Sequence, residues 1–157
     1  MTRPHTVLAF DFGLKRIGIA CGDTVTRQAA PRPATTVLRG SPDWDAIAKE
    51  VRALAPALLV VGAPYLVVGA PYNAGGNEGT LLAAARRFAA ELERRFALPV
   101  QLVDERFSSL EASETLKKRR ASGERRRRLR REDIDSAAAA VILGRWFQGE
   151  GEGTMNR

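Results

Sequence analysis

The sequence has little of what many hydrolytic sites are built from. Its 157 residues include one cysteine, Cys21, and one histidine, His5. A single cysteine excludes an internal disulfide and a zinc site made of clustered thiolates. A Ser/His/Asp triad or a histidine-rich metal site would have to be built around a residue next to the N-terminus. Acid–base and metal chemistry therefore falls to carboxylates.

Long apolar runs are also missing. No stretch reaches the roughly 18 apolar residues of a membrane span, and the N-terminus leads into a strand pattern without a signal peptide. We therefore expect a cytoplasmic protein with no membrane partner. The length is that of one domain. We predict a single domain over residues 1–148 and a disordered tail over 149–157.

Positive charge is concentrated in one place. The net charge is +7, yet residues 117–131, KKRRASGERRRRLRR, hold ten basic residues and one acid, so the rest of the chain is close to neutral. Such a run can be a solvated face. Here it lies between two helical patterns, which favours a loop held against the body and directed at a polyanion. The predicted nucleic-acid contacts in this run are Lys117, Lys118, Arg119, Arg120, Arg125, Arg126, Arg127 and Arg128.

Hydrophobic periodicity predicts the order β-β-β-α-β-α-β-α-α, an α/β fold in which three antiparallel strands are followed by parallel additions. The predicted strands are 7–10, 17–21, 34–38, 58–61 and 100–103, with a turn at 39–42. Asp43 is a candidate N-cap for the first helix. The predicted helices are 44–54, 80–96, 108–120 and 133–147.

A duplication interrupts this pattern. The segment VVGAPYL at 60–66 is followed at once by VVGAPYN at 67–73. Because seven is an odd number, a strand running through both copies would exchange its two faces between them. We therefore expect one copy to be strand and the other to be loop, and the first copy follows the preceding helix at the more natural interval.

Acidic residues stand at the ends of two predicted strands and at the start of the last helix. Asp11 follows four apolar residues, where a charge needs solvent, a partner or a cation. Asp104 and Glu105 close the last strand, and only one of the two can share a face with Asp11. Asp133 and Asp135 are predicted in the first helical turn, where the helix dipole favours negative charge.

Each acid alone has a simpler explanation. Asp11 could accept backbone N–H groups in a turn, Asp104 could pair with Arg106, and Asp135 could cap its helix. Groups beyond the carboxyl ends of parallel strands tend to converge, however, and converging carboxylates repel unless a cation lies between them. All-oxygen ligation suits Mg²⁺ or Mn²⁺. Two such ions about 3.5–4 Å apart can drive phosphodiester hydrolysis without histidine.

Four segments carry a resemblance to a known family: DFGLKRIGIA, VVGAPYNAGGNEG, VDERFSS and DIDSAAAAVIL. In order and spacing they resemble the motifs of the YqgF/RuvX family of ribonuclease H-like proteins, described as Holliday junction resolvases and as nucleases that mature the precursor of 16S ribosomal RNA. The resemblance covers nearly the whole chain. It implies a ribonuclease H-like fold with a central five-stranded mixed sheet and helices on both faces.

The resemblance also implies site residues. Asp11, Glu105 and Asp135 would be the catalytic acids and the ligands of Mg²⁺ or Mn²⁺. Lys15, Arg16 and Arg106 would be candidates for phosphate contact. The duplicated VVGAPY and the dense arginine run depart from the family pattern without touching the acids, and either could alter the choice of substrate.

Two other functions remain open. A non-catalytic nucleic-acid-binding module could share this fold, although it has no use for clustered acids. A phosphotransferase of the actin or sugar-kinase type also has an Asp-x-Gly hairpin, but those enzymes clamp a nucleotide between two such domains and this chain has one. The expected partner is nucleic acid, RNA or DNA, bound by a monomer or a weak homodimer.

Overall fold

Six strands form one mixed sheet in the computed structural model, which describes residues 5–63, 77–104 and 131–149. The strands are β1 (Thr6–Phe12), β2 (Arg16–Asp23), β3 (Ala29–Leu38), β4 (Ser41–Pro42), β5 (Leu58–Ala63) and β6 (Val100–Asp104). The helices in these ranges are α1 (Trp44–Leu54), α2 (Asn77–Phe96) and α3 (Arg131–Gly149).

The strand order is β4-β3-β2-β1-β5-β6. Strands β1 to β4 pair antiparallel in sequence, whereas β5 adds parallel to β1 and β6 adds parallel to β5. The predicted antiparallel start with parallel additions is therefore confirmed. One consequence positions the site: the carboxyl ends of β1, β3, β5 and β6 and the amino end of β2 lie along the same side of the sheet. We call this side the carboxyl edge.

Helices cover both faces of the sheet, because the central strands are apolar on both sides. Phe10 of β1 is fully buried in a cluster with Ile47 of α1 and the apolar side of α2. Val7 and Ala9 point the other way and pack against Ile142 of α3. Alternation along β1 thus separates an α1/α2 face from an α3 face, and it confirms the expectation of helices on both sides.

Helix α1 begins and ends where its sequence predicts. The side chain of Asp43 accepts a hydrogen bond from the backbone N–H of Ala46 at 3.1 Å, so the predicted N-cap is confirmed. The helix ends at Ala55, whose φ of 46° is left-handed and whose N–H bonds to the carbonyl of Val51. Pro56 follows and cannot continue the helix.

The predicted count of five strands is wrong by one. Strand β4 lies within the segment predicted as a turn at 39–42 and pairs with the end of β3. Arg39 and Gly40, with φ of 53° and 77°, form the tight connection, since a two-residue hairpin of type I′ needs both residues left-handed. A two-residue strand containing a proline has no periodic signal, but an edge position tolerates it.

Strand β3 begins at Ala29, five residues earlier than predicted. Pro31 and Pro33 weaken the strand pattern because proline has no N–H to donate to a ladder. They are accommodated because β3 pairs with β4 only through Val37 and Leu38, so its earlier residues face no second strand in the described sheet.

Several predictions lie outside the described residues: the helix at 108–120, the second VVGAPY copy, and the tail beyond residue 149. The first copy enters β5 with its residues 60–63, as predicted. Among the helices of the described ranges, none has the length and hydropathy that a membrane span requires.

Candidate active site

Asp11 is the penultimate residue of β1, and a glycine opposes it on each neighbouring strand. Its Cα partner on β2 is Gly18, and its partner on β5 is Gly62. Since Val7 and Ala9 face α3, alternation puts Asp11 on the same face. Glycine has no side chain, so no neighbouring side chain fills the space next to Asp11 at its cross-strand positions on β2 and β5.

Helix α3 approaches the sheet at Gly18. A Cβ atom built on Gly18 would lie 1.9 Å from the carbonyl oxygen of Asp135 and 2.8 Å from the backbone nitrogen of Ser136. Only glycine permits a backbone approach this close. Gly18 therefore pairs with Asp11 across the β1–β2 ladder and also lies against the backbone of Asp135 in the helix above it.

Ser136 ties the start of α3 to the sheet. The β2–β3 register shifts between Ile17 and Ile19, which marks a β-bulge. At this bulge the buried hydroxyl of Ser136 donates to the carbonyl of Arg32 at 2.6 Å and makes a longer contact, 3.5 Å, with the N–H of Ile19. A side chain of α3 thus bonds to strand groups where the ladder is interrupted, which fixes the neighbouring Asp135 relative to β2.

One positive charge at this site comes from a side chain of the protein, that of Arg16. Nε of Arg16, the first residue of β2, donates to Oδ2 of Asp135 at 2.6 Å. Both side chains are mostly buried, at 28% and 23% exposed, so this ion pair is screened less than a surface pair. The guanidinium supplies positive charge beside Asp135 and stabilises its ionised carboxylate.

Cysteine chemistry does not contribute to this arrangement. Burial raises the pKa of the Cys21 thiol above its ordinary value, with Arg32 opposing that rise and Glu50 and Asp23 adding to it. The thiol is therefore protonated at neutral pH, and a protonated thiol is a poor nucleophile.

The remaining predicted site residues divide into two groups. Lys15 is exposed in the β1–β2 turn at the carboxyl edge, where its carbonyl accepts from the N–H of Val37 at 2.9 Å. Asp104 is the last residue of β6. The other residues fall outside the described ranges: Glu105, Arg106, Lys117, Lys118, Arg119, Arg120, Arg125, Arg126, Arg127 and Arg128.

One placement differs from the sequence prediction. Helix α3 starts at Arg131, so Asp135 is its fifth residue and lies in the second turn, not the first. Its interaction with the helix dipole is correspondingly weaker, since that effect falls off within the first turn. The ion pair with Arg16 replaces it as the main charge interaction, and the sequence pattern gave no indication of that partner.

Two of the three predicted acids are thus described, and both lie at Gly18. Within residues 5–63, 77–104 and 131–149 no group of three or more His, Cys, Asp or Glu side chains has metal-binding geometry. The residues around the two acids, Gly18, Gly62 and Ser136, carry no charge, and the pattern of acidic residues in the sequence does not indicate them. A glycine inside a strand pattern is the signal that could have found the first two.

Comparison with protein families gives one match over almost the entire chain. The family model described as "RuvX: Holliday junction resolvase" matches residues 5–149. A protein of Coxiella burnetii named "Putative pre-16S rRNA nuclease" is 46% identical over 105 residues, which span 67% of this chain and 70% of that protein. An Escherichia coli protein of the same name is 41% identical over 111 residues, 71% of this chain and 75% of that protein.

Solved structures show a related fold at low sequence identity. T. thermophilus RuvC in complex with a Holliday junction substrate aligns over 93% of this chain and 96% of its own, with a TM-score of 0.56 and 14% identity. The yeast mitochondrial Holliday junction resolvase Ydc2 aligns over 93% and 79%, with a TM-score of 0.51 and 10% identity. These likenesses support the ribonuclease H-like architecture.

Proposed function

Because this chain belongs to the RuvX family, a family of nucleases, we propose that it hydrolyses phosphodiester bonds of nucleic acid with divalent metal ions held by carboxylates. The observation that carries the proposal is the shared neighbour of two acids: Gly18 is the cross-strand partner of Asp11 and also lies against the backbone of Asp135. A binding module has no use for acids on adjoining elements of one sheet face, whereas a metal-dependent nuclease needs them.

We assign the third acid to Glu105, not to Asp104. In β6 the side chain of Gln101 accepts a hydrogen bond from Nε1 of Trp146 on α3, and Val103 packs in the same α3-facing cluster. Gln101 and Val103 thus share the face of Asp11, and the motif resemblance assigns the third acid to Glu105, which follows this strand. The proposed site therefore draws on β1, the end of β6 and the start of α3.

The residues at Gly18 fit a hard divalent cation. Carboxylate oxygens are the donors that Mg²⁺ and Mn²⁺ prefer. The guanidinium of Arg16 already pairs with Asp135, so a divalent ion bound there would share that carboxylate with Arg16 or displace it. In the proposal Asp11, Glu105 and Asp135 hold Mg²⁺ or Mn²⁺, which when bound supplies an activated water and neutralises charge on the leaving oxygen.

The protein's other groups position the acids and the substrate. Ser136 and Gly18 fix Asp135 against β2, so the helix cannot shift without breaking the contacts at the bulge. Arg16 and Lys15, side by side at the carboxyl edge, are proposed to contact the phosphates that flank the scissile bond. Arg106 and the basic run, eight residues at 117–120 and 125–128, are proposed to extend this contact along the nucleic-acid backbone.

The leading substrate is precursor 16S ribosomal RNA, which is the substrate in the names of the relatives at 41–46% identity. The second candidate is branched DNA, favoured by the description of the family model. The positive run suits either polyanion, because phosphate neutralisation releases counterions whatever the sequence.

The experiment that tests the proposal is a cleavage assay with the full chain. RNA containing the ends of the 16S precursor and a four-way DNA junction are incubated with Mg²⁺, with Mn²⁺ or with EDTA. We expect cleavage of at least one substrate that requires the metal and stops when EDTA removes it. Binding of both substrates without cleavage under any metal condition would instead establish the non-catalytic module.

Replacing Arg16 tests its two proposed contacts. In Arg16→Ala we expect oligonucleotide affinity to fall about tenfold and the slope of log affinity against log salt to lose about one unit, because one phosphate contact is removed. The matched control is Arg52→Ala. Arg52 is an exposed residue in the last turn of α1, at the opposite end of the sheet from Asp11. Equal salt slopes for both variants and wild type would show that Arg16 pairs only with Asp135.

A further inference from the structure

A pocket opens on the face of the sheet opposite to Asp11. It has a volume of about 320 Å³ and lies between the β3–β4 turn, the start of α1 and the middle of α2. That volume is at the lower end of the range for small-molecule sites, about 300–1,000 Å³. The pocket has room for a group the size of one nucleotide and none for a duplex.

Aromatic rings form one wall of the pocket. Phe88 of α2 lies 5.0 Å from Phe12 and 5.5 Å from Trp44, measured between ring centroids, and the planes of Phe88 and Trp44 differ by 27°. Phe12 and Phe88 are nearly buried, at 7% and 3% exposed, while Trp44 is half-buried. Phe88 stacks on Trp44 and Arg95 lies over the Trp44 ring, so a base would contact the exposed edges of this aromatic wall, an apolar surface that accepts any base.

Arginines stand at the mouth of the pocket. Arg39, in the left-handed β3–β4 turn, and Arg87, on α2, both line it and are both exposed. Within the described ranges, neither guanidinium pairs with a carboxylate. Two cations beside an aromatic wall match the two parts of a nucleotide, a phosphate and a base.

The one acid that lines the pocket does not cancel this charge. Glu91 is bonded by Arg94 and by Arg95, the latter at 2.7 Å. The hydrogen bond from Arg94 lowers the pKa of the Glu91 carboxyl, so Glu91 is ionised at neutral pH and compensated by two guanidinium groups. Arg95 also lies 4.3 Å above the ring of Trp44.

The pocket and the proposed active site share the carboxyl edge of the sheet, on opposite faces. Phe12 follows Asp11 at the carboxyl end of β1, and alternation turns the two side chains to opposite faces of the sheet. Arg16 begins β2 at the same edge, and Arg39 follows the end of β3 there. A single strand that crosses the carboxyl edge can therefore present a phosphate on the α3 face and a base on the α1/α2 face.

We propose that this pocket binds one unpaired nucleotide of the substrate, with its base against Phe12, Trp44 and Phe88 and its phosphate on Arg39 and Arg87. The pocket then selects nucleic acid in which a nucleotide beside the scissile bond is single-stranded or splayed. The inference rests on the proposed nuclease function, to which it adds a determinant of substrate choice.

The test is binding by the full-length protein, in EDTA so that no cleavage occurs. Affinity is measured for a short single strand and for a series in which each member lacks one base. We expect one abasic position to bind at least about fivefold more weakly than the others. Fluorescence of Trp44, assigned by comparison with Trp44→Phe, should be quenched by the intact strand and not by the strand lacking that base.

A pair of neighbouring arginines provides the matched variants. Arg87→Ala should weaken binding of the intact strand about tenfold, whereas Arg86→Ala, at a residue that is also exposed but lies outside the pocket, should leave it near the wild-type value. Equal affinities across the abasic series and for both variants, with Trp44 fluorescence unchanged, would show that the pocket does not bind a nucleotide. A segment of a protein partner would then be its remaining candidate occupant. Cleavage could still occur in that case, so the nuclease proposal would stand. If no single strand binds at all, the pocket proposal falls, and the cleavage assay on precursor RNA and the DNA junction alone decides the nuclease proposal.

Discussion

Asp11→Asn should abolish cleavage, lowering the rate by several orders of magnitude while the protein still binds nucleic acid. An amide keeps the shape of the side chain but removes the charge that holds a divalent ion, and losing that ion removes both the activated water and the stabilisation of the leaving oxygen. Binding depends instead on arginines and lysines, which the substitution leaves in place. Single-turnover cleavage with Mg²⁺ and Mn²⁺, beside a binding titration, measures the two effects separately.

The control for this substitution is Asp45→Asn. Asp45 is an exposed acid in the first turn of α1, so its replacement makes the same chemical change away from Gly18. We expect wild-type cleavage from this variant and a melting temperature near that of wild type from both. If Asp11→Asn cleaves as fast as Asp45→Asn, the carboxylate of Asp11 has no part in the reaction and the proposed mechanism is wrong.

Gly18→Ala should destabilise the fold by at least about 3 kcal/mol, because the added methyl would meet the backbone of Asp135 and Ser136. Backbone atoms cannot rotate out of the way as a side-chain tip can, so α3 must move off the sheet or β2 must bend. For a chain of this size that loss lowers the melting temperature by about 6–12 °C. Thermal unfolding followed by circular dichroism measures it.

Gly144→Ala is the matched control, with the opposite expected sign. Gly144 is also in α3, but a Cβ atom there would have no neighbour within 4 Å among the residues that the structure describes. Replacing a helical glycine by alanine without a clash stabilises a protein by about 0.4–1 kcal/mol. If Gly18→Ala and Gly144→Ala melt at the same temperature, the close approach of α3 to Gly18 is not present in solution, and the placement of Asp135 beside Asp11 loses its support.

The fold could be predicted from the sequence wherever local pattern and burial agree. The apolar runs at 7–10, 17–21, 58–61 and 100–103 became β1, β2, β5 and β6, and the N-cap at Asp43 starts α1. The sixth strand could not be predicted, because two residues are too few to show a period. The full length of β3 was also missed, since Pro31 and Pro33 are tolerated only through the position of β3 near the edge of the sheet.

For the candidate site, the sequence could predict the type of residue that carries the chemistry, but not the contacts that those residues make. A chain with one cysteine and one histidine leaves acidic residues for metal and acid–base work, and Asp11 and Asp135 could be named from motif and position. Which groups touch them could not be named. The pairing of Arg16 with Asp135 spans 119 positions of the chain, and no local pattern encodes a contact of that range.

The amino-acid sequence by itself determined the residue types available for chemistry, the alternation that gives each strand its two faces, and the family to which the chain belongs. Only the tertiary structure decided which of those faces meet: that α3 comes down on Gly18, that Arg16 neutralises Asp135, and that Phe12 turns away from Asp11 into a pocket bordered by arginines. The physical reason is that side-chain alternation is a local property of the chain, whereas close backbone approach and ion pairing depend on how distant elements pack together.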